Sequence, residues 1–341
     1  MTIAHRVILI FAATTFVLGV QRMSSGVGEL RAAQTAGLGE ARLQGRNTPT
    51  PAPGPNGITY HGGPVMTSSS GTNLYYIWYG NWSGNTGPAI LEDLAKNLGG
   101  SAYFNINTTY FDASNVHVTN AVNFLGSASD AYSQGTTLSN AQIRAVVSKA
   151  ITDGLRLDTN AVYMVLTSQD VVPSNFCNGS CGGYGHFMMG STDIKYGFVP
   201  NAARCPNACA PAQPTTGPNG NVGADAMAST ISHELINAIT NSNGAGWHDS
   251  SGRAPASICA TPQTAFPVTY VAPNGALASV KLGTRDYLIQ TTWVNANGGY
   301  CAMSMRNRVE ERLLLPNLRM EPTRRSPRAT LSPRRAAHSW R

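Results

Sequence analysis

The sequence predicts a disulfide-bonded α/β (α+β) fold in which a mixed β-sheet carries packed helices. Strand-like and helix-like apolar segments alternate along the sequence, an order typical of a sheet covered by helices. Of the 341 residues, 42% are hydrophobic and only 12% are charged. Six cysteines follow an N-terminal apolar segment of the kind that directs export, which predicts an oxidised, disulfide-bonded protein.

The predicted sheet draws on three segments. Residues 74–79 form a short apolar strand, and residues 161–167 form an almost continuous apolar run that suits a strand buried on both faces. Residues 287–294 alternate between apolar and polar side chains, which predicts a half-buried strand. Five aromatic side chains crowd residues 75–82. We expect these rings to be mainly core residues; the alternative is that alternate members pack inside and one or two are exposed, where a ring can stack on a sugar.

Three helices are predicted around these strands. Residues 88–98 place four apolar side chains on one face, and two glycines stop this helix. Ser139 and Gln142 form a capping box, and the helix that they begin ends at Gly154. A third helix spans residues 224–240 and buries a stripe at i, i+4 spacing, formed by Met227, Ile231, Leu235 and Ile239.

The chain divides into four parts by composition. Residues 1–25 have the pattern of a signal peptide, because two basic residues precede a 14-residue apolar run that is too short to span a bilayer comfortably. Residues 26–56 form a low-complexity linker, and residues 58–303 form the folded domain. Residues 304–341 form an Arg- and Pro-rich tail that we expect to be disordered.

The positive charge of the chain lies in this tail. Ten arginines against three glutamates between residues 306 and 341 account for the whole net charge of +7. The remainder is therefore neutral, which predicts no nucleic-acid partner. We also expect no stable membrane insertion after the signal is cleaved. One hypothesis is that the basic tail attaches the protein to anionic, pectin-like polymers by charge.

The cysteines are the strongest covalent signal in the sequence. An even number in an exported chain predicts disulfides. The preferred pairing joins the two members of each C-x-x-x-C motif and joins the remaining two to each other. The rival interpretation is a metal cluster, because both motifs have zinc-ligand spacing. Three N-x-S/T sequons, which begin at Asn81, Asn107 and Asn178, predict a glycoprotein if the host is eukaryotic. The cysteines are Cys177, Cys181, Cys205, Cys209, Cys259 and Cys301.

The predicted helix over residues 224–240 carries the residues that point most clearly to chemistry. His233 and Glu234 open an H-E-x-x pattern, in which the histidine binds zinc and the glutamate is the general base on bound water. Position i+4 is Asn237, a poor zinc ligand. A complete site therefore needs ligands from elsewhere, and His248 and Asp249 are the candidates. The structural alternative is that His233 and Glu234 bond to neighbouring loops.

Two long motifs identify a family resemblance. They are ITYHGGPVM at residues 58–66 and YIWYGNWS at residues 76–83. Shorter matches follow in order, and with them the sequence resembles the EXORDIUM, or phosphate-induced, family of extracellular proteins over residues 58–303. The shorter matches are VLTSQDV at residues 165–171, Phe176-Cys177 with Cys181, Cys205-Pro206 with Cys209, Pro218-Asn219-Gly220, His233-Glu234, Trp247 and Tyr300-Cys301.

The resemblance implies a secreted protein of the cell wall or extracellular matrix, the apoplast in a plant, that is associated with cell expansion and growth signalling. Members of the family typically carry H-E-x-x-E followed by E-I-x-D-x-C, which looks like a zincin-type metal site and implies a zincin-like outline. This sequence departs from that pattern. Asn237 replaces the second Glu, and Ala254 and Ser257 replace the Glu and the Asp that precede Cys259.

We therefore expect a non-catalytic protein that acts in growth or cell expansion through binding. The expected partner is a cell-wall polysaccharide or a surface receptor, and no cofactor is expected. The alternative is a zinc-dependent, peptidase-like hydrolase that uses the H-E-x-x-N helix, with Glu234 as base and zinc as cofactor.

Overall fold

A computed structural model describes residues 55–305, with residues 175, 179, 211, 213 and 214 left out. The predicted signal peptide, nearly all of the linker and the arginine-rich part of the tail lie outside the described residues, so those assignments stay predictions. Among the described helices, none is long and apolar enough to cross a membrane.

The chain alternates strands and helices as expected. The strands are β1 (Thr59–Tyr60), β2 (Thr72–Tyr79), β3 (Val122–Asp130), β4 (Thr137–Leu138), β5 (Ala161–Thr167), β6 (Val172–Pro173), β7 (Gly183–Met189), β8 (Thr192–Val199), β9 (Trp247–His248), β10 (Tyr270–Val271), β11 (Leu277–Ala278), β12 (Val280–Leu282), β13 (Arg285–Tyr287), β14 (Thr292–Val294) and β15 (Tyr300–Ala302). The helices are α1 (Gly87–Leu98), α2 (Asn140–Thr152), α3 (Pro206–Cys209), α4 (Val222–Asn241) and α5 (Pro255–Ile258), with short 3₁₀ turns at Phe104–Thr109 and Ala202–Arg204.

A five-stranded sheet in the order β3–β2–β5–β8–β7 organises the domain. The first four of these strands are parallel to their neighbours, and β7 pairs antiparallel with β8 at one edge. Parallel strands require crossover connections, and the chain supplies α1 between β2 and β3 and α2 between β3 and β5. The predicted mixed sheet with packed helices is confirmed.

Helices cover both faces of this sheet. Side chains of β2 alternate between the faces, so that Tyr76 and Trp78 share a core with α1 and α4, whereas Tyr75, Ile77 and Tyr79 share a core with α2. All five are buried. The interpretation of the aromatic rings of this strand as core residues is confirmed, and none of them is exposed for sugar stacking, because the strand is covered on both sides. Trp82, which follows β2, is partly buried against the same core as Tyr76.

The capping box and the long helix are confirmed, but the predicted strand over residues 287–294 is not one strand. Strand β13 ends at Tyr287 and β14 begins at Thr292. Between them the backbone N–H of Gln290 donates to Ser229 Oγ on α4, and the N–H of Thr291 donates to the Ala265 carbonyl. The chain therefore turns inward here, because its backbone bonds to α4 and a loop instead of a neighbouring strand.

Three disulfides link all six cysteines: Cys177–Cys205, Cys181–Cys209 and Cys259–Cys301. The third pair agrees with the preferred pairing, whereas the two local bridges are wrong. Cys205 and Cys209 flank one turn of α3, where side chains at i and i+4 point outward side by side. Each therefore meets a cysteine of the facing loop, and two parallel bridges join that loop to α3.

The bridge between Cys259 and Cys301 fastens α5 to the end of the domain, and its removal is expected to be costly. It closes a loop with a sequence separation of 42. Loop-closure entropy therefore predicts that the Cys259→Ala/Cys301→Ala variant loses about 4 kcal/mol in free energy of unfolding. Urea unfolding of both proteins without reductant tests this, and equal midpoints with equal slopes would contradict it.

Candidate functional site

Helix α4 carries the candidate chemistry and is buried over almost its whole length. It begins at Asn221, whose side chain accepts a hydrogen bond from the Ala224 N–H. His233 and Glu234 lie past its midpoint and are each 1% exposed. The sheet covers one side of the helix, and α5 and residues 289–291 cover the side that carries His233. A helix buried all round must satisfy each polar side chain within the protein.

His233, Ser257 and Asn237 form a hydrogen-bonded trio between α4 and α5. Ser257 Oγ lies 3.2 Å from His233 Nε2, and Asn237 Nδ2 donates to Ser257 Oγ at 3.0 Å. The Asn237 carbonyl oxygen accepts from the Ala256 N–H at 3.0 Å. These three polar side chains, all buried, thus hold α5 against the middle of α4.

Gln290 decides which nitrogen of His233 carries the proton. The Gln290 amide nitrogen donates to the carbonyls of Ala256 and Thr291, so its oxygen faces His233 Nδ1 at 3.1 Å. An amide oxygen only accepts, so Nδ1 must be the protonated nitrogen. The Nε2 lone pair is therefore directed at Ser257, whose hydroxyl donates to it.

This connectivity resembles a nucleophile, a base and an orienting amide, but the burial of the trio blocks that chemistry. Ser257 is 8% exposed, and its hydroxyl oxygen is already occupied by Asn237. Burial lowers the pKa of His233 to about 4, against a smaller opposing effect of the Gln290 hydrogen bond. A base with such a pKa is poorly matched to neutral pH, and the serine that it contacts is itself buried.

Glu234 is sealed on the other side of the helix. Its Oε1 atom is buried with no hydrogen-bond partner in the described part of the chain. A Cβ on Gly182 would lie 3.0 Å from this atom and 2.4 Å from Thr230 Cγ2, so the glycine allows the chain before β7 to pass directly over the carboxyl group. Burial raises the pKa of Glu234 well above its ordinary value, which favours the neutral form of the carboxyl group.

The predicted metal ligands are not brought together. His248 stacks on His61 with ring centroids 3.5 Å apart, and Asp249 forms an ion pair with Arg253 at 2.7 Å. In residues 55–305, apart from the few left out, no group of three or more His, Cys, Asp and Glu side chains could hold a metal ion. The set His233, His248 and Asp249 is therefore not assembled, because each member already has a different partner.

The donor set around His233 does not fit the zinc ion that the resemblance implies. It offers one imidazole, one amide and one hydroxyl, and it has no negative charge to balance a divalent cation in a buried place. No catalytic step is therefore derived through a metal. The zincin-like outline, which depended on such a site, is not supported.

A half-open cavity of about 560 Å³ lies beside the trio. Gln290 lines this cavity and also bonds to His233, so its side chain separates the two. The one acidic side chain in the lining, Asp225, already accepts hydrogen bonds from Asn219 and Asn221. The cavity therefore offers a largely apolar surface, with one carboxyl group that is already hydrogen-bonded. Its apolar lining includes Val222, Ala226, Pro262, Phe266, Leu277 and Leu288.

Sequence reasoning missed Gln290 and the partnership of Ser257 with His233. Gln290 lies in a segment whose alternation of apolar and polar side chains predicted a strand. A polar side chain between buried neighbours was the signal that could have pointed to it. Ser257 stood out because it replaces an acidic residue of the family pattern, and its bond to a residue 24 positions away depends on how α5 packs.

Comparison with known proteins identifies the family. The conserved region of phosphate-induced protein 1 matches residues 58–278 of this chain. The chain belongs to the phosphate-induced protein 1 family. No solved structure matches it.

Plant proteins of this family are its curated relatives. Protein EXORDIUM-like 3 from Arabidopsis thaliana is 31% identical over 217 residues, which cover 56% of this chain and 64% of the relative. Protein EXORDIUM-like 5 from the same plant is 32% identical over 54% of this chain and 57% of the relative. Protein PHOSPHATE-INDUCED 1 from Nicotiana tabacum is 28% identical over 59% and 71%. The chain thus spans less than two thirds of the length of the first two relatives.

The hydroxyl of Ser257 is expected to be the central contact of the trio in this family member. Ser257→Ala leaves His233 Nε2 and one Asn237 N–H buried without a partner, which should lower the free energy of unfolding by about 1–3 kcal/mol. Urea unfolding measures this. Ser250→Ala, at an exposed position of the same segment, is the control and should change little. Equal changes in the free energy of unfolding for the two substitutions would contradict the hydrogen-bonded trio as described.

The neutral state of Glu234 has a consequence for the pH dependence of stability. Its pKa is raised in the folded protein, so only the unfolded chain loses this proton as the pH rises above 4.5. Its contribution therefore destabilises the fold increasingly towards neutral pH. The free energy of unfolding of Glu234→Gln, relative to the unmodified chain, should rise between pH 4.5 and 7 by up to about 1.4 kcal/mol per pH unit. A difference that is constant across urea titrations at pH 4.5, 5.5 and 7 would show that Glu234 is ionised in the fold.

Proposed function

We propose that this protein is secreted and acts outside the cell, in the cell wall or extracellular matrix, as a non-catalytic binding protein in growth or cell expansion. The observation that carries the proposal is the burial of His233 and Glu234 on α4. His233 lies inside a neutral hydrogen-bonded trio, and Glu234 is buried under Gly182. The alternative, a zinc-dependent peptidase, needs both groups in contact with a metal, water and substrate, and so it is not favoured.

Two features support an extracellular place of action. The N-terminal apolar run has the pattern of an export signal. All six cysteines are paired in disulfides, which persist in oxidising compartments. In a plant host, this place would be the apoplast, where the sequon at the exposed Asn81 would be open to glycosylation, whereas Asn107 is buried.

The cavity beside Gln290 is the proposed binding site. Its volume of about 560 Å³ lies within the usual range for small-molecule and side-chain pockets. Its lining is largely apolar, and its single carboxylate is already engaged, so the ligand should be uncharged where it enters. A neutral wall polysaccharide or an apolar segment of a surface receptor meets this condition.

A charge placed in the cavity wall should disrupt binding by the native ligand. Leu277 lines the cavity and is 37% exposed, so Leu277→Glu should leave the fold intact. We expect binding to fall at least about 10-fold, because an apolar contact is replaced by a charge that must be desolvated. Binding of the secreted full chain to arrays of neutral wall glycans and of receptor ectodomains measures this.

Val271→Glu is the matched control for this substitution. Val271 pairs with Leu277 across β10 and β11, is 68% exposed and is not part of the cavity lining. The Val271→Glu variant should bind the ligand as tightly as the unmodified chain does. Absence of binding across both arrays, or equal losses in the two variants, would overturn the proposal. Peptide hydrolysis that requires zinc and disappears in Glu234→Gln would instead establish the peptidase.

A further inference from the structure

The trio of His233, Ser257 and Asn237 has a spacing of side chains that a metal site could share, but it lacks the charge of one. Its two hydrogen bonds span 3.2 Å and 3.0 Å between donor atoms. Ligand atoms of a tetrahedral zinc site, each about 2.1 Å from the ion, lie roughly 3.4 Å from one another. A metal ion and a hydrogen-bonded trio therefore require nearly the same spacing of side chains.

His233 is oriented as a metal ligand is oriented. Its Nδ1–H donates to the Gln290 side-chain oxygen, and this leaves the Nε2 lone pair facing Ser257 and, beyond it, Asn237. Metal-binding histidines almost always hold their second nitrogen in such a bond to an oxygen. Asn237 lies four residues after His233 and so shares its face of α4. Two adjacent elements thus bring His233 Nε2 and the Asn237 side chain to the same serine hydroxyl.

The charge of the trio explains why it is held by hydrogen bonds. All three residues are buried, with His233 1% and Ser257 8% exposed. A carboxylate in either of the other two positions would be an unpaired buried charge unless a cation accompanied it, whereas an amide and a hydroxyl satisfy each other. Two arrangements can therefore be buried at these positions without an unpaired charge. One has neutral side chains joined by hydrogen bonds, and the other has acidic side chains with a bound cation.

We infer that the trio occupies the ligand positions of a divalent-metal site whose acidic members have been replaced by neutral ones, so that two substitutions restore zinc binding. Hydrogen bonds now make the link between α4 and α5 that a metal would make. The stability of the native fold accordingly needs no divalent cation. This inference does not depend on the proposed binding function, since it concerns the buried trio and not the cavity.

The test is zinc binding by Asn237→Asp/Ser257→Asp in the secreted full chain. Asp has the shape of Asn, and Ser257→Asp places a carboxylate where the hydroxyl now contacts His233 Nε2, with the second carboxylate at its neighbour. Calorimetric titration with zinc should show one site, with affinity at least about 100-fold above that of the native chain. Zinc should raise the Tm of this variant, and a chelator should reverse the rise. Adding His233→Ala should abolish the gain.

Controls separate a restored site from simple added charge or adventitious binding. Ser257→Asn matches the size of the new side chain without its charge and should bind zinc no better than the native chain. The native chain should keep its Tm in chelator. Because two buried carboxylates can prevent folding without metal, Asn237→His/Ser257→Asp is a second variant with one acid. Its histidines at i and i+4 should also bind zinc.

Each result decides the inference. It is overturned if neither variant binds zinc better than the native chain, if Ser257→Asn gains as much as the acidic variants, or if the gain survives His233→Ala. A fall in the Tm of the native chain on addition of chelator would also overturn the inference, because a cation would then already stabilise the fold.

Discussion

The structure depends on the burial of α4. This helix of 20 residues runs through the domain with the sheet, α1 and α5 packed around it, and most of its residues are buried. A helix in that position contributes its whole surface to the core, but each polar side chain on it needs a partner within the protein. Much of what distinguishes this chain follows from how that requirement is met at His233, Glu234 and Asn237.

The requirement is met differently on the two sides of the helix. On the side of α5, donors and acceptors are matched one to one through Ser257 and Gln290, and the imidazole is neutral. On the side of the sheet, one Glu234 oxygen has no hydrogen-bond partner among the described residues, and burial raises the pKa of this group. The first arrangement stabilises the contact between helices, and the second costs stability that the surrounding core must offset. Neither leaves a charged group available to a substrate.

The candidate catalytic residues and the proposed binding cavity are therefore separated in space. The residue types that point to catalysis lie inside, while the accessible cavity is lined by small and apolar side chains and contacts the interior through Gln290. Disulfides support this cavity, since Cys181 and Cys209 belong both to a bridge and to the lining. This arrangement suits a rigid recognition surface more than an active site, in which polar groups must converge on open space.

Local patterns in the sequence determined the fold class, the capping box at Ser139, the helix that carries His233 and the family, because strand and helix periodicity and short motifs depend on neighbouring residues. Tertiary structure alone decided three other points. Cysteines pair across to a facing loop, residues 287–294 break into two strands around Gln290, and Ser257 meets His233. Each depends on contacts between segments far apart in the chain, and whether His233-Glu234 forms an active centre or part of a core is settled by which distant side chains reach them.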